Sequence, residues 1–156
     1  MRPTFLFDFS RVLLFTEDKD YKGGLNGLYS KLSQKPGFVF EKHFAFNEPL
    51  LSFLKENKGK ANLFIFTSGQ IQKAPEIAPR LTAIFEKVFS AEDMGTHKQS
   101  SNAYLAVAKK IGKKPEDIIF VDDNRENVDA ARQAGLNSIL FTETKKVIRT
   151  LIQYLQ

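Results

Sequence analysis

Three short apolar runs, each stopped abruptly by an oxygen-bearing side chain, constrain this chain more than any other feature. Thr4–Phe7 runs into Asp8, Leu63–Phe66 into Thr67, and Ile118–Val121 into the pair Asp122 and Asp123. Runs of this length are strand-sized, and because they are apolar at nearly every position they suit strands covered on both faces. Helical patterns lie between them, so the order is strand, helix, strand, and the right-handed crossover rule turns that order into a parallel sheet. Lys87–Phe89 and Ser138–Phe141 supply two further strands. The expected fold class is α/β: a Rossmann-like three-layer sandwich of about five parallel strands with helices on both faces.

The helices carry their own punctuation. One begins at Asn47, a capping residue, has Pro49 in its first turn and Leu50, Leu51 and Leu54 on one face, and is expected to end at Gly59. A second runs through Asn102–Ile111 with Gly112 as its stop, and a third follows Asn124, carries Val128, Ala131 and Ala134, and ends at Gly135. Val147, Ile148, Leu151, Ile152 and Leu155 form the apolar stripe of a terminal helix. Only residues 17–46 break the alternation. Gly23, Gly24, Gly27, Pro36 and Gly37 punctuate that segment around one helical pattern at Leu25–Leu32, which reads as an insertion over the end of the first strand.

At 156 residues, with no linker, repeat or low-complexity segment, the chain reads as one domain over 1–156 with a short cap-like insertion at about 17–46. The apolar runs are far too short to span a membrane, and an acid at position 8 precludes a secretory apolar stretch at the start, so a cytoplasmic setting is expected. The absence of cysteine excludes disulfides, thiolate metal sites and cysteine nucleophiles. The formal charge is +5, but the Lys and Arg residues are scattered, with small groups at Lys109, Lys110, Lys113, Lys114 and at Lys145, Lys146, Arg149. Scattered charge predicts solvated helix faces rather than specific nucleic-acid binding, and a mild positive field favours an anionic small substrate.

Ligands of open α/β sheets bind beyond the carboxyl ends of the strands, which is where Asp8, Thr67, Asp122 and Asp123 fall. One acid after a strand is ordinarily a cap or turn former. Several gathered at one sheet edge repel one another and stay ionised cheaply only around a cation, and an all-oxygen set suits Mg²⁺. Mg²⁺ commonly bridges phosphate oxygens, and Lys98 offers a point charge for a phosphoryl group or a nucleophile. These residues together read as a Mg²⁺ phosphoryl-transfer site.

The same runs resemble the motifs of the haloacid dehalogenase-like hydrolases, most of which cleave phosphate esters through an aspartyl-phosphate. Phe-Leu-Phe-Asp-Phe-Ser-Arg-Val-Leu at 5–13 is similar to the first motif, Leu-Phe-Ile-Phe-Thr-Ser at 63–68 to the second, Gly-Thr-His-Lys at 95–98 to the third and Ile-Ile-Phe-Val-Asp-Asp-Asn-Arg-Glu-Asn-Val at 118–128 to the fourth. The resemblance implies that Asp8 is the nucleophile, that Thr67, Ser68 and Lys98 bind phosphate, and that Thr67 and Lys98 take part in catalysis. It further implies that Asp123 and Asp8 ligate Mg²⁺ with the backbone carbonyl of Ser10, that Asp122 supports the metal from behind, and that Asn127 holds the Asp-Asp loop. His43 and His97 are assigned structural or surface roles.

One departure stands in the first motif. Phosphatases of this kind usually carry a second Asp two residues after the nucleophile, as general acid and base, and then a Gly; here the positions hold Ser10 and Arg11. A serine hydroxyl is far too weak an acid to protonate a leaving group. The leading expectation is a phosphatase of reduced efficiency towards poor leaving groups. Two alternatives are a regulatory protein that keeps the metal and phosphate pocket with little turnover, and a carbon–halogen hydrolase that uses Asp8 without a metal. An insertion of 30 residues is also too short for a large separate cap, so a comparatively open pocket is expected.

Overall fold

Side chains alternate across a strand, and in the three central strands of this protein both sets are apolar, so each of those strands is buried from two sides. The structure, a computed structural model that describes residues 1–156, has five parallel strands: β1 (Thr4–Phe7), β4 (Asn62–Thr67), β5 (Lys87–Ser90), β6 (Ile118–Asp122) and β7 (Asn137–Leu140). They lie in the order β5-β4-β1-β6-β7. Phe5, Phe7, Leu63, Ile65, Ile119 and Val121 face one core, and Leu6, Phe64, Phe66, Ile118 and Phe120 face the other.

The first core is covered by α2 (Glu48–Glu56), α3 (Ala78–Ile84) and α6 (Thr144–Leu155), through Leu50, Leu54, Leu81, Ile84, Val147 and Leu151. The second is covered by α4 (Ser101–Ile111) and α5 (Arg125–Gln133), through Tyr104, Val107, Ala130 and Ala131. This is the three-layer α/β arrangement expected of the strand and helix pattern. Because β1 sits between β4 and β6, the chain moves outward to β5 and then crosses back to the other side, which opens a crevice above the end of β1. Asp8 occupies that point, its N–H donating to the Val121 carbonyl at 2.8 Å.

Boundaries shift where polar groups compete. Helix α2 ends at Glu56, short of Gly59, because Asn57 turns its side-chain amide onto the Phe53 carbonyl at 2.8 Å and caps the helix early. Strand β7 spans Asn137–Leu140 rather than Ser138–Phe141, while Phe141 N–H still bonds the Asp122 carbonyl. At the other end of α2, Asn47 accepts from Leu50 N–H as expected of a cap. Its amide nitrogen also donates to the Val12 carbonyl and to Thr144 Oγ1, both at 2.9 Å, tying the loop after β1 to the start of α6.

Residues 17–46 contain one α-helix, α1 (Leu25–Leu32), and a 3-10 turn at Phe40–Lys42. A two-stranded antiparallel ribbon flanks them, formed by β2 (Leu14–Thr16) and β3 (Phe44–Phe46), with Leu14 opposite Phe46 and Thr16 opposite Phe44. The excursion from the sheet therefore starts at β2, before Glu17. No helix is long and apolar enough to cross a membrane.

Candidate active site

Each strand-end residue is delivered by the apolar run before it, because the register aligns the ends: Phe7 pairs with Ile65 on one side and Val121 on the other. Asp8, Thr67 and Asp122 thus arrive at neighbouring positions on one edge. Thr67 and Asp122 are the last residues of their strands, and both are buried.

Lys98 is the centre of the arrangement. Its Nζ lies 2.7 Å from Asp8 Oδ1 and 2.7 Å from Asp122 Oδ2, and the residue is only 1% exposed. The rings of Phe66 and Phe120 stand 5.5 and 5.4 Å from the ammonium, close enough for cation–π attraction, and its carbonyl accepts from the Tyr104 hydroxyl at 2.8 Å. Burial alone would lower the Lys98 pKa, but the two carboxylates outweigh it and hold the ammonium above the usual lysine range.

Asp122 is saturated. Its Oδ1 accepts from Asn124 N–H at 2.9 Å, and its Oδ2 accepts from Lys98 and from Asn127 Nδ2 at 3.0 Å. Asn124 caps α5 through Asn127 N–H, so the turn that carries Asp123 is fixed from both ends. Carboxylate oxygens of Asp8, Asp122 and Asp123 all lie within 4.8 Å of one another. Burial, reinforced by the Asp122 charge against Lys98's opposing pull, pushes Asp8 up to about 8; burial and then Asp122 push Asp123 up to about 6. Three carboxylates around one ammonium leave an excess of negative charge that favours a proton or a cation, and this all-oxygen set fits Mg²⁺.

These groups open onto a cleft of about 330 Å³. Asp8, Ser10, Thr67, Ser68, Asp123 and Asn127 line it, and Lys98 lies beneath Asp8 rather than in the lining. His97 is exposed, and His43 stacks on Phe38 with ring centroids 5.8 Å apart, away from the cleft.

Five lining residues, Arg11, Gly24, Leu25, Asn26 and Asn124, are not marked as site residues by the sequence, and two of them tie the insertion to the cleft. Asn26, on α1, accepts through Oδ1 from Gln70 N–H at 2.9 Å and Ile71 N–H at 2.8 Å, fastening the insertion to the loop after Thr67. Gly69 permits this closeness, since a Cβ there would stand 2.6 Å from Asn26 Oδ1. Nothing in the sequence marks a contact across 44 positions. Arg11, the single non-glycine residue with positive φ (61°), bonds through Nη2 to the carbonyls of Gly23 at 2.7 Å and Tyr21 at 3.3 Å. Left-handed backbone costs a side-chain-bearing residue about 1–2 kcal/mol, which these bonds partly offset.

Comparison with known proteins agrees with the geometry. The family profile of the haloacid dehalogenase-like hydrolases matches residues 39–135, which include Thr67, Lys98, Asp122, Asp123 and Asn127. The enolase-phosphatase of Drosophila mojavensis is 26% identical over 150 residues, covering 85% of this chain and 54% of that protein. The phosphoglycolate phosphatase of Salmonella typhimurium is 33% identical over 73 residues, 44% of this chain and 29% of that one. The chain thus spans about half the length of the first enzyme and less of the second. Among solved structures, a haloacid dehalogenase-superfamily hydrolase of Geobacter sulfurreducens superposes with a TM-score of 0.70 at 15% identity, covering 99% of this chain and 97% of that one. A family enzyme of Bacteroides thetaiotaomicron in complex with magnesium and inorganic phosphate superposes with a TM-score of 0.65 at 14% identity, covering 91% and 95%. With the profile matching well over half its length and the fold shared end to end, the chain belongs to the haloacid dehalogenase-like hydrolases.

Proposed function

We propose that the protein is a Mg²⁺-dependent phosphatase of small phosphorylated substrates, acting through an aspartyl-phosphate on Asp8. The observation that carries this reading is the pairing of Asp8 with buried Lys98 at the floor of a cleft that Thr67 and Ser68 also line. Lys98 holds Asp8 Oδ1, so the carboxylate keeps one orientation while its other oxygen attacks phosphorus. The ester P–O bond breaks, the alcohol oxygen leaves with the electron pair, and water then attacks the aspartyl-phosphate to release phosphate. The Thr67 and Ser68 hydroxyls stabilise the phosphoryl oxygens as the charge redistributes. Asp8, Asp123 and the Ser10 carbonyl would hold Mg²⁺, and Asp122, with both oxygens already engaged, positions Lys98 and Asn127 around it. Bound there, Mg²⁺ supplies positive charge against the carboxylates and the phosphoryl group. The phosphatases among the relatives support this choice of chemistry. A screen of phosphate esters with and without Mg²⁺ tests it, and absence of metal-dependent phosphate release from every ester would favour the regulatory reading.

Metal binding should be visible without turnover. In metal-free protein, folded Asp8 keeps its proton up to about pH 8 whereas an unfolded Asp releases it near 4, so raising the pH across this window pulls the equilibrium towards the unfolded chain. The melting temperature in EDTA is therefore expected to fall between pH 5 and pH 8, and excess Mg²⁺ to restore it at the upper end. Asp123→Asn should reduce the Mg²⁺ response. Identical metal responses in wild type and variant would remove Asp123 from the metal set.

Ser10 bears on the leaving group. With no carboxyl group to donate a proton, aryl phosphates, which expel a stable phenolate, are expected to outpace alkyl phosphates by more than their usual difference, and Ser10→Asp to recover part of the general-acid contribution of about 10²–10⁴-fold for alkyl esters. Arg11→Gly is the suitable companion change, because glycine adopts φ 61° freely. Equal rates on alkyl and aryl phosphates in the wild type would mean that another group supplies the proton.

A further inference from the structure

Beside the Asp8 cleft lies a second hollow of about 320 Å³, walled by Arg11, Phe15, Thr16, Lys19, Tyr21 and Lys22. Arg11 belongs to both. Three of its six lining residues are cationic and none is acidic. None of the three acids of this loop, Glu17, Asp18 and Asp20, is in the lining: Asp18 accepts from Asp20 N–H and lines an adjoining hollow that shares Thr16 and Tyr21, and Glu17 lines the cleft over Phe44 and Phe46. Lys22 Nζ has only the Lys19 carbonyl, at 3.4 Å, and neither lysine forms an ion pair. The two bonds from Arg11 Nη2 to the Tyr21 and Gly23 carbonyls fix the guanidinium between the hollows and leave its Nη1 and Nε donors uncommitted. Three cations with no acid in the same lining make a local positive field, and Phe15 and Tyr21 add apolar surface to it.

We propose that this hollow is a leaving-group subsite for a second anionic group, so that the preferred substrates are phosphate monoesters whose alcohol portion is compact or aromatic and carries its own negative charge. The proposal rests on the phosphatase reading of the adjoining cleft and adds the substrate class. It also accounts for Arg11 in a left-handed conformation: the backbone there places a cation where the phosphate-bearing cleft meets the leaving-group side. With Ser10 unable to protonate the departing oxygen, positive charge on that side stabilises the anion that leaves.

The test compares two probes of equal size, 4-carboxyphenyl phosphate and 4-carbamoylphenyl phosphate, titrated calorimetrically with Mg²⁺ present into the Asp8→Asn protein, and read as KM values in the wild type. The carboxylate probe is expected to bind about tenfold tighter or more, the range of a hydrogen bond to a charged group. In a Lys19→Ala/Lys22→Ala background the ratio should fall severalfold, with Arg11 alone left to favour the carboxylate. Equal affinities in the parent protein, a ratio unchanged by loss of both lysines, or no binding of either probe overturns the subsite. Phenyl phosphate turnover by the wild type reports separately on the parent reading: no turnover with the charge preference intact sinks the phosphatase and supports the subsite, whereas turnover without a preference sinks the subsite alone.

Discussion

Replacing Asp8 by Asn is expected to lower Mg²⁺-dependent phosphate release from an aryl phosphate by about four orders of magnitude or more, the scale on which loss of a covalent nucleophile is felt. The amide nearly matches the carboxylate in shape but cannot form the phosphoryl ester. Its oxygen still accepts from Lys98 Nζ, so the floor of the cleft should stay in place. Stability should move the other way from activity. Burial disfavours the ionised Asp8 in metal-free protein, so the neutral amide is expected to melt at the same temperature or higher in EDTA at neutral pH. Residual hydrolysis within about tenfold of the wild type would remove Asp8 from the mechanism.

Lys98→Met is expected to be costly in both respects. Methionine fills much of the lysine's volume between Phe66 and Phe120, so packing survives better than charge. Without the ammonium, Asp8 and Asp122 face each other buried and unpaired, and breaking such a pair by removing one partner costs about 3–5 kcal/mol. For a domain of this size that corresponds to a melting temperature lower by roughly 10 °C, with turnover lost as well. Two further measurements separate electrostatics from packing. Lowering the pH to 5 in EDTA should recover part of the loss as the carboxylates take up protons, and adding Asp8→Asn to Lys98→Met should recover part at neutral pH. A melting temperature within a degree or two of the wild type would show that the buried ammonium contributes little net stability.

Much of this was legible in the residue order because the three central strands are apolar on both faces and end at polar side chains. Burial on two sides is a property of position in a parallel sheet, and it writes itself into the sequence as Phe-Leu-Phe, Leu-Phe-Ile-Phe and Ile-Ile-Phe-Val. The β2–β3 ribbon left no such trace, since Leu14-Phe15-Thr16 and Phe44-Ala45-Phe46 are three residues each and pair only across the whole insertion. Helix α3 was also unmarked, because its start at Ala78-Pro79 follows a Pro-containing stretch that reads as loop. Lys98 carried a candidate role without any sign of its burial: a lysine in a Gly-Thr-His-Lys loop looks solvated until the two carboxylates that neutralise it are placed around it. Asn26 and the strap from Arg11 depend on approaches that only the folded insertion creates.

The β2–β3 ribbon makes the segment above the cleft an exchangeable part. Its two ends are clasped in antiparallel register and closed by Glu17 N–H on the His43 carbonyl at 2.9 Å, so the chain leaves and re-enters at one narrow neck. Loop-closure cost rises by only about 0.6 kcal/mol for each doubling of length, so a longer or shorter piece grafted onto that neck would change what stands over the cleft while the sheet below keeps Asp8 and Lys98 in place. In such grafts the roof and the floor of the cleft would vary independently, which makes the neck at Thr16 and Phe44 the natural seam for exchanging one without the other.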